Sequence, residues 1–367
     1  MLNLNTGNVV HWISESNYVF STEKLRNCIE DWLKSQPCHP KRWSAIYAAH
    51  FLSSNNVISL SRPLQRMHWG ISVPNDPSQT IYVWLDALTT YLTSAGFPWP
   101  PCPSTTCWPA DYHIIGKDII KFHMYYWPAF LLALDLPLPK NIICHGHWLR
   151  NGRKISKSLG NAVDPFELIK TYGEEECRFY FLSSSILGSD AEFDEATLIS
   201  KIKFLRDAIG NLFSRCINER ISGHVQEKSL VDGNLALLPC DLQLLGNLAD
   251  LKDKVHNFYK YGDSHKGISL VENIIHETNK YFYVNEPWRL SSVSTAQEKD
   301  RLNAVVAVIV EVLRVSSLFL LPVMPKKMSR LLDNLNIPEK QRNYTFISLQ
   351  GAKKSQTAFK NLKDHLF

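Results

Sequence analysis

The spacing of apolar residues changes character twice along the chain, and those changes suggest its divisions. Residues 1 to about 66 mix aromatics with short amphipathic pieces. Leu25, Ile29, Trp32 and Leu33 stand at helical spacing and predict one helix, ended by the breaker-rich residues 35–40. From about 67 to 165 strand and helix signals alternate. Residues 79–85 are β-branched and aromatic and run into a helical stretch from Asp86 through Tyr91 and Leu92. Residues 112–115 form a buried-strand run ending at Gly116, after which Asp118 is placed to cap a helix carrying Ile119, Phe122, His123, Tyr126 and Trp127. Residues 141–144 are a further strand, with the turn pair Asn151 and Gly152 beyond it. Such alternation predicts a parallel sheet, whose ligands bind past the carboxyl ends of the strands, where Trp84, Gly116 and His145 are expected.

After about residue 195 the pattern is helical throughout. Leu198, Ile202, Leu205, Ile209, Leu212, Cys216 and Ile217 keep three-four spacing, and similar stripes run through 242–259, 271–282 and 302–321. These predict a bundle of four or more helices. Pro322 and Pro325 are expected to stop the last long helix and leave a basic tail.

Composition narrows the class. With 367 residues, 45% of them hydrophobic and 20% charged, the chain has enough apolar material for more than one core, and disorder is excluded. The formal charge of +5 is uneven: residues 1–195 carry 16 basic and 18 acidic groups, residues 196–367 carry 24 and 17. Residues 322–367 hold nine of those basic groups against three acidic ones, so the excess lies in the tail and not in the bundle. Recognition of a polyanion by the bundle would therefore rest on particular side chains, with the tail adding salt-sensitive attraction.

The eight cysteines include no C-x-x-C pair, so zinc knuckles and thioredoxin chemistry are not expected and no structural zinc is called for. Cys102 and Cys107 are near enough to bridge, but reduced thiols are the simpler expectation. The dense apolar stretch at 304–321 is interrupted by Glu311 and Arg314, which reads as a buried bundle helix and not a membrane span. No signal or transit peptide is visible in the first twenty residues.

One segment carries candidate chemistry on its face. GRKISKSLGN, residues 152–161, packs three cations, two hydroxyls and two glycines into ten positions after a predicted strand. It is too polar to pack and too glycine-rich for a stable helix. A loop presenting Lys154 and Lys157 suits triphosphate chemistry, because charge spread over phosphate oxygens calls for positioned ammonium groups. A solvated basic hairpin would read the same way from these residues alone.

The surrounding motifs separate the two readings. Residues 154–161, KISKSLGN, resemble the KMSKS loop of class I aminoacyl-tRNA synthetases, with Ile155 in the place of Met. YVWLDA at 82–87, HIIGKD at 113–118, Phe122-His123 with Trp127-Pro128-Ala129, and HWGISVP at 68–74 resemble the methionyl-tRNA synthetases, and most closely the mitochondrial branch. The similarity runs in order from about Val9 to about Leu290. It implies an α/β fold class: a partial Rossmann-like nucleotide-binding fold followed by an all-α helical anticodon-binding bundle. The divisions then expected are 1–66 as the remnant of a connective insertion with linking helices, 67–165 as the C-terminal half of the catalytic domain with the lysine loop, 166–195 as a connecting segment, 196–340 as the bundle and 341–367 as the tail.

The resemblance also assigns roles. Trp84, Ala87, Tyr91, Ile119, His123 and Trp127 would line a methionine pocket, in which aromatic edges contact the polarizable thioether. Leu88 stands where many members have Pro, which alters one wall. Gly116 and Asp118 would lie by the adenosine of ATP, supplied with Mg2+, and Lys154 and Lys157 would contact its phosphates. Asn211 and Arg215, four apart on one helix, with Trp288 in the turn after Glu286-Pro287, resemble the family's anticodon-reading set and would meet tRNA(Met). The implied activity is methionine–tRNA ligation in the mitochondrial matrix, with the cytoplasm as the alternative location and no membrane partner. The family's His-x-Gly-His signature is absent, so a longer isoform or a partner is expected to supply the other half of the catalytic fold. A noncatalytic tRNA-binding or interaction fragment is the alternative.

Overall fold

The computed structural model describes residue 9 and residues 14–53, 57–99, 107–156, 160–225, 230, 235–292 and 295–347, with residues 50–53 described by backbone alone. The chain divides into two compact units, Met1–His145 and Gly146–Phe367. This division falls before the lysine loop, where the sequence pattern suggests a boundary near 165, so the loop is part of the same unit as the helical bundle.

The first unit holds β1 (Val19–Ser21), α1 (Arg26–Lys34), β2 (Cys38–His39), α2 (Arg42–Ser53), β3 (Val57–Ser59), β4 (Ser61–Pro63), β5 (Ser72–Val73), β6 (Asp76–Ile81), α3 (Val83–Ser94), β7 (His113–Gly116), α4 (Trp127–Ala133) and β8 (Ile142–His145). α1 forms where the apolar spacing predicts it, and Ile29 and Leu33 are its buried residues. The parallel sheet has the order β2-β8-β7, with Gly116 opposite His145 and Cys38 opposite Ile142. Residues 35–40, read from sequence as a breaker, thus contain a sheet strand. Two strand residues between Pro37 and Pro40 are too short to leave a period. The strand read at 79–85 is also corrected: β6 ends at Ile81 and pairs antiparallel with β4 and β5, outside the parallel sheet.

After β7 the chain makes a 3-10 turn over Lys117–Ile119 and a π-helical turn over Phe122–Tyr126 before α4 begins. Asp118 lies inside that first turn, and the cap position belongs to Gly116 without a side-chain hydrogen bond. Asp118 is therefore not the cap expected.

The second unit opens with an antiparallel hairpin of β9 (Trp148–Arg150) and β10 (Arg153–Lys154), turned at Asn151 and Gly152 with φ of 54° and 70°. These left-handed values are those an Asn-Gly turn permits. Then come α5 (Pro165–Tyr172), α6 (Glu174–Ser184), β11 (Ala191–Glu192), which pairs parallel with β9, α7 (Glu195–Phe204), a π-helical turn at Leu205–Gly210 and α8 (Asn211–Ile217). The rest is α9 (Glu219–Ser222), α10 (Pro239–Ala249), α11 (Leu251–Lys260), α12 (Ser264–Asn285), α13 (Pro287–Leu290), α14 (Ala296–Leu320) and α15 (Pro325–Asn334). Leu198, Leu205, Ile209, Leu212 and Cys216 from the predicted stripe are all buried.

α14 has the length and apolarity of a membrane span, yet its most apolar window is wholly buried among the other helices. The two charges that interrupt it pair with each other: Arg314 Nε and Nη2 donate to the two Glu311 carboxylate oxygens at 2.7 Å each. Arg314 Nη1 also donates to the Phe346 carbonyl at 2.9 Å, which ties the chain beyond α15 back to the core.

The segment 166–195, read as a connector, contains most of α5 with α6 and β11. α6 sends Phe179 into the bundle core. Its Glu175 carboxylate accepts from the Lys326 and Lys327 backbone N–H groups at 2.6 and 2.8 Å, capping α15. Arg178 donates to the Val323 and Pro322 carbonyls at 2.9 and 3.0 Å, just past the end of α14. Pro325 accordingly starts a helix, where its missing N–H costs nothing, and does not open a tail.

Removing one member of a buried ion pair strands the other. Arg314→Ala is expected to lower unfolding free energy by about 3–5 kcal/mol, while Glu311→Leu with Arg314→Met stays within about 1 kcal/mol of the parent. Urea denaturation followed by circular dichroism measures both.

Candidate active site and nucleic-acid interface

Four of the six residues expected around methionine come together in the first unit. Tyr91 reaches from α3, His123 from the π-helical turn, and Trp127 from the start of α4. The Tyr91 ring lies 5.6 Å from His123 and 5.9 Å from Trp127, centre to centre, and Trp84 stands edge-on to His123 at 6.5 Å. Ile119 and Trp84 are partly buried against the same core, and Ala87 is half-buried on α3. Leu88 faces inward and is fully buried.

The hydrogen bonds set the state of His123. Its Nδ1 lies 2.9 Å from the Ile119 carbonyl, which can only accept, so Nδ1 carries the proton. Burial holds the imidazole below its ordinary pKa despite that bond and keeps it neutral. Nε2 is therefore an acceptor, and the Tyr91 hydroxyl, 2.7 Å away, donates to it. Burial also raises the Tyr91 pKa, so the phenol keeps the proton it donates.

Phe122 and His113 belong to this cluster and were missed as site residues. Phe122 stacks on Trp84 with ring centres 3.7 Å apart and planes 9° from parallel. The π-helical turn places it there, because an extra residue in the turn rotates the side chains around it relative to α-helical spacing. His113, on the first residue of β7, accepts the Trp127 indole N–H at 3.2 Å. Its pKa is pushed down to about 4, mainly by burial and secondarily by His123.

Gly116 and Asp118 lie at the carboxyl end of β7, beside His145 at the end of β8. A β-carbon at Gly116 would stand 2.7 Å from Asp118 Oδ1, so glycine is what lets this carboxylate fold back over the strand end. Among the described residues no three His, Cys, Asp or Glu side chains converge to hold a metal.

In the second unit Lys154 is exposed on β10, so it is carried on a paired strand and not on a free loop. Asn161 closes the segment: its Oδ1 accepts from the Ser156 N–H at 3.0 Å and its Nδ2 donates to the Lys154 carbonyl at 3.1 Å. Lys157, with residues 158 and 159, lies outside the described residues.

Of the expected base-reading set, Arg215 and Trp288 line one cavity of about 370 Å³ together with Asn218, Arg220, Phe282 and Tyr283. Asn211 is exposed at the start of α8 and is not among the lining residues. The Arg215 guanidinium rests over Phe282 and Tyr283, 5.9 and 5.3 Å from their ring centres, and Trp288 lies 5.5 and 6.1 Å from the same rings. Trp288 sits on α13 and not in an open turn, with 40% of its surface exposed. A flat, half-exposed indole beside a guanidinium held by aromatic faces offers a stacking platform and hydrogen-bond donors.

A buried neutral histidine gives a pH signature. Because the folded-state pKa of His113 lies below its unfolded value, the unfolded chain binds more protons as pH falls from 6.5 towards 4, and stability drops over that window. The loss attributable to His113 is expected to reach about 3 kcal/mol by pH 4. Comparing the pH dependence of urea unfolding in the parent and His113→Gln checks this: the variant should show a shallower loss.

The family model described as tRNA synthetases class I (M) matches residues 5–217. A probable mitochondrial methionine–tRNA ligase of Dictyostelium discoideum is 41% identical over 353 residues, which cover 94% of this chain and 60% of that protein. The mitochondrial methionine–tRNA ligase of Homo sapiens is 34% identical, with 93% of this chain and 60% of that protein covered. The chain thus spans about three fifths of the length of these curated relatives. Among solved structures, methionyl-tRNA synthetase of Mycobacterium tuberculosis bound by methionyl-adenylate superimposes with a TM-score of 0.86 at 29% identity, covering 100% of this chain and 71% of that one. On the match over residues 5–217, this chain belongs to the class I tRNA synthetases of the methionine family.

Proposed function

We propose that this chain acts in methionine–tRNA ligation in mitochondria, holding methionine in the aromatic cluster of its first unit. The observation that carries this reading is the cluster of Trp84, Phe122, Tyr91, His123 and Trp127 around a neutral imidazole. Aromatic edges favour a polarizable, unbranched thioether, and the uncharged His123–Tyr91 pair offers sulfur no cation and no anion. A charged competitor would lose its hydration there without gaining a partner.

Gly116 and Asp118 would receive the adenosine of ATP, the carboxylate accepting from a ribose hydroxyl. Magnesium would arrive with ATP, held mainly by phosphate oxygens and water. The methionine carboxylate oxygen attacks the α-phosphorus, the bond from that phosphorus to the bridging oxygen breaks, and pyrophosphate leaves. Lys154 and Lys157 neutralise charge on the phosphate oxygens as it develops. The tRNA 3′-terminal hydroxyl then attacks the methionyl carbonyl carbon and AMP leaves. Arg215 and Trp288, with Asn211 nearby on α8, would read an unstacked anticodon base. The His-x-Gly-His pair of the family would come from a longer product or a partner chain.

Methionine-dependent ATP–pyrophosphate exchange tests the reading. In an assembly that includes the His-x-Gly-His half, Lys157→Ala is expected to cut exchange by about 100-fold or more while methionine affinity stays within about twofold. Equal losses in both would remove its transition-state role. Trp288→Ala is expected to weaken tRNA(Met) binding by about 5- to 100-fold in filter binding. A parent chain without exchange that still binds tRNA(Met) through the anticodon would establish a tRNA-binding module in place of a ligase.

A further inference from the structure

His113 takes no part in the reaction as derived, yet three side chains of the aromatic cluster converge on it. Trp127 donates its indole N–H to His113 Nε2 at 3.2 Å, in a buried bond. The Tyr91 ring lies over the imidazole with centres 4.3 Å apart, and His123 stands 6.0 Å away at 63°. Trp108 leans on both partners, 6.0 Å from His113 and 5.7 Å from Trp127. Trp127 is wholly buried, so its N–H has no recourse to water if the acceptor is lost.

We propose that His113 is a positioning residue for substrate selection: its neutral Nε2 fixes the rotation of the Trp127 indole, and its ring supports Tyr91 from beneath. The inference rests on the methionine reading of the same cluster. An indole free to turn would widen the wall that excludes branched side chains. A fixed indole keeps a slot matched to an unbranched chain with a polarizable tip. β7 supplies the rigidity. The His113 backbone N–H donates to the Asn141 carbonyl at 2.9 Å, and the residue pairs with Ile142 of β8, so the acceptor is anchored in the sheet and not on a loop.

Two substitutions separate the acceptor from the ring. His113→Gln keeps an oxygen able to accept near the position of Nε2, whereas His113→Phe keeps a ring for Tyr91 and offers no acceptor. The full chain, labelled with 15N, is examined first without ligand. The Trp127 indole proton should exchange slowly with solvent in the parent and His113→Gln, and about tenfold faster or more in His113→Phe. Equal protection in His113→Phe would overturn the proposal. Titration with methionine and leucine, followed by tryptophan fluorescence, gives the second readout. His113→Phe should bind methionine about tenfold more weakly and lose most of its preference over leucine, with His113→Gln within about threefold of the parent. Equal weakening in both variants marks a merely structural histidine and also overturns it. A parent chain that gives no methionine response fails the methionine reading itself, and the indole exchange then decides whether His113 holds Trp127.

Discussion

A polar ring taken out of water must find a partner among its neighbours, and this constraint organises the aromatic cluster of the first unit. Tyr91, His113, His123 and Trp127 are all wholly or partly buried, and each has a ring nitrogen or hydroxyl to satisfy. They satisfy one another and one backbone carbonyl: Trp127 to His113, Tyr91 to His123, His123 to Ile119. The two bonds in which an imidazole nitrogen accepts, from Trp127 and from Tyr91, require neutral rings, and burial holds both imidazoles below their ordinary pKa. The result is a cluster of polar rings that presents no net charge, which is the environment a thioether side chain needs.

The second unit meets the same constraint with charges. α14 is long and apolar enough to demand complete burial, and the pair it carries inside is satisfied bidentately by Glu311 and Arg314. Asp241, also fully buried, accepts from Tyr281, Arg301 and the Leu238 N–H, and these bonds hold its carboxyl below the usual range against the desolvation that would raise it. α6 fastens both ends of the α14–α15 junction through Glu175 and Arg178. Because α5 and α6 come soon after the lysine hairpin, Lys154 and the cavity of Arg215 and Trp288 are built into one compact unit. The proposed recognition of tRNA would rest on shaped sites there, in keeping with a bundle whose own charge is nearly balanced.

Range decides what was legible in the sequence. The stripe from Leu198 to Cys216, the helix at Ile29 and Leu33, and the Asn151-Gly152 turn are local patterns, and they form where the pattern puts them. β2 left no signal because two residues between prolines have no period. The stacking of Phe122 on Trp84 depends on a π-helical turn that helical spacing does not anticipate. The Glu175 cap on α15 joins residues about 150 positions apart, and the Trp127–His113 bond crosses from a helix to the far end of a strand. Motif resemblance assigned roles to Trp84, Tyr91, His123 and Trp127 but none to His113, although it opens the HIIGKD motif.

Whether the aromatic cluster takes methionine, as proposed, is the central question, and the chain's ten tryptophans report on it directly. In a 15N spectrum of the indole N–H groups, titration with methionine is predicted to shift the Trp84 and Trp127 signals saturably while Trp288 stays in place. Shifts confined to Trp288, or no saturable shift at Trp84 and Trp127, would contradict binding in the aromatic cluster.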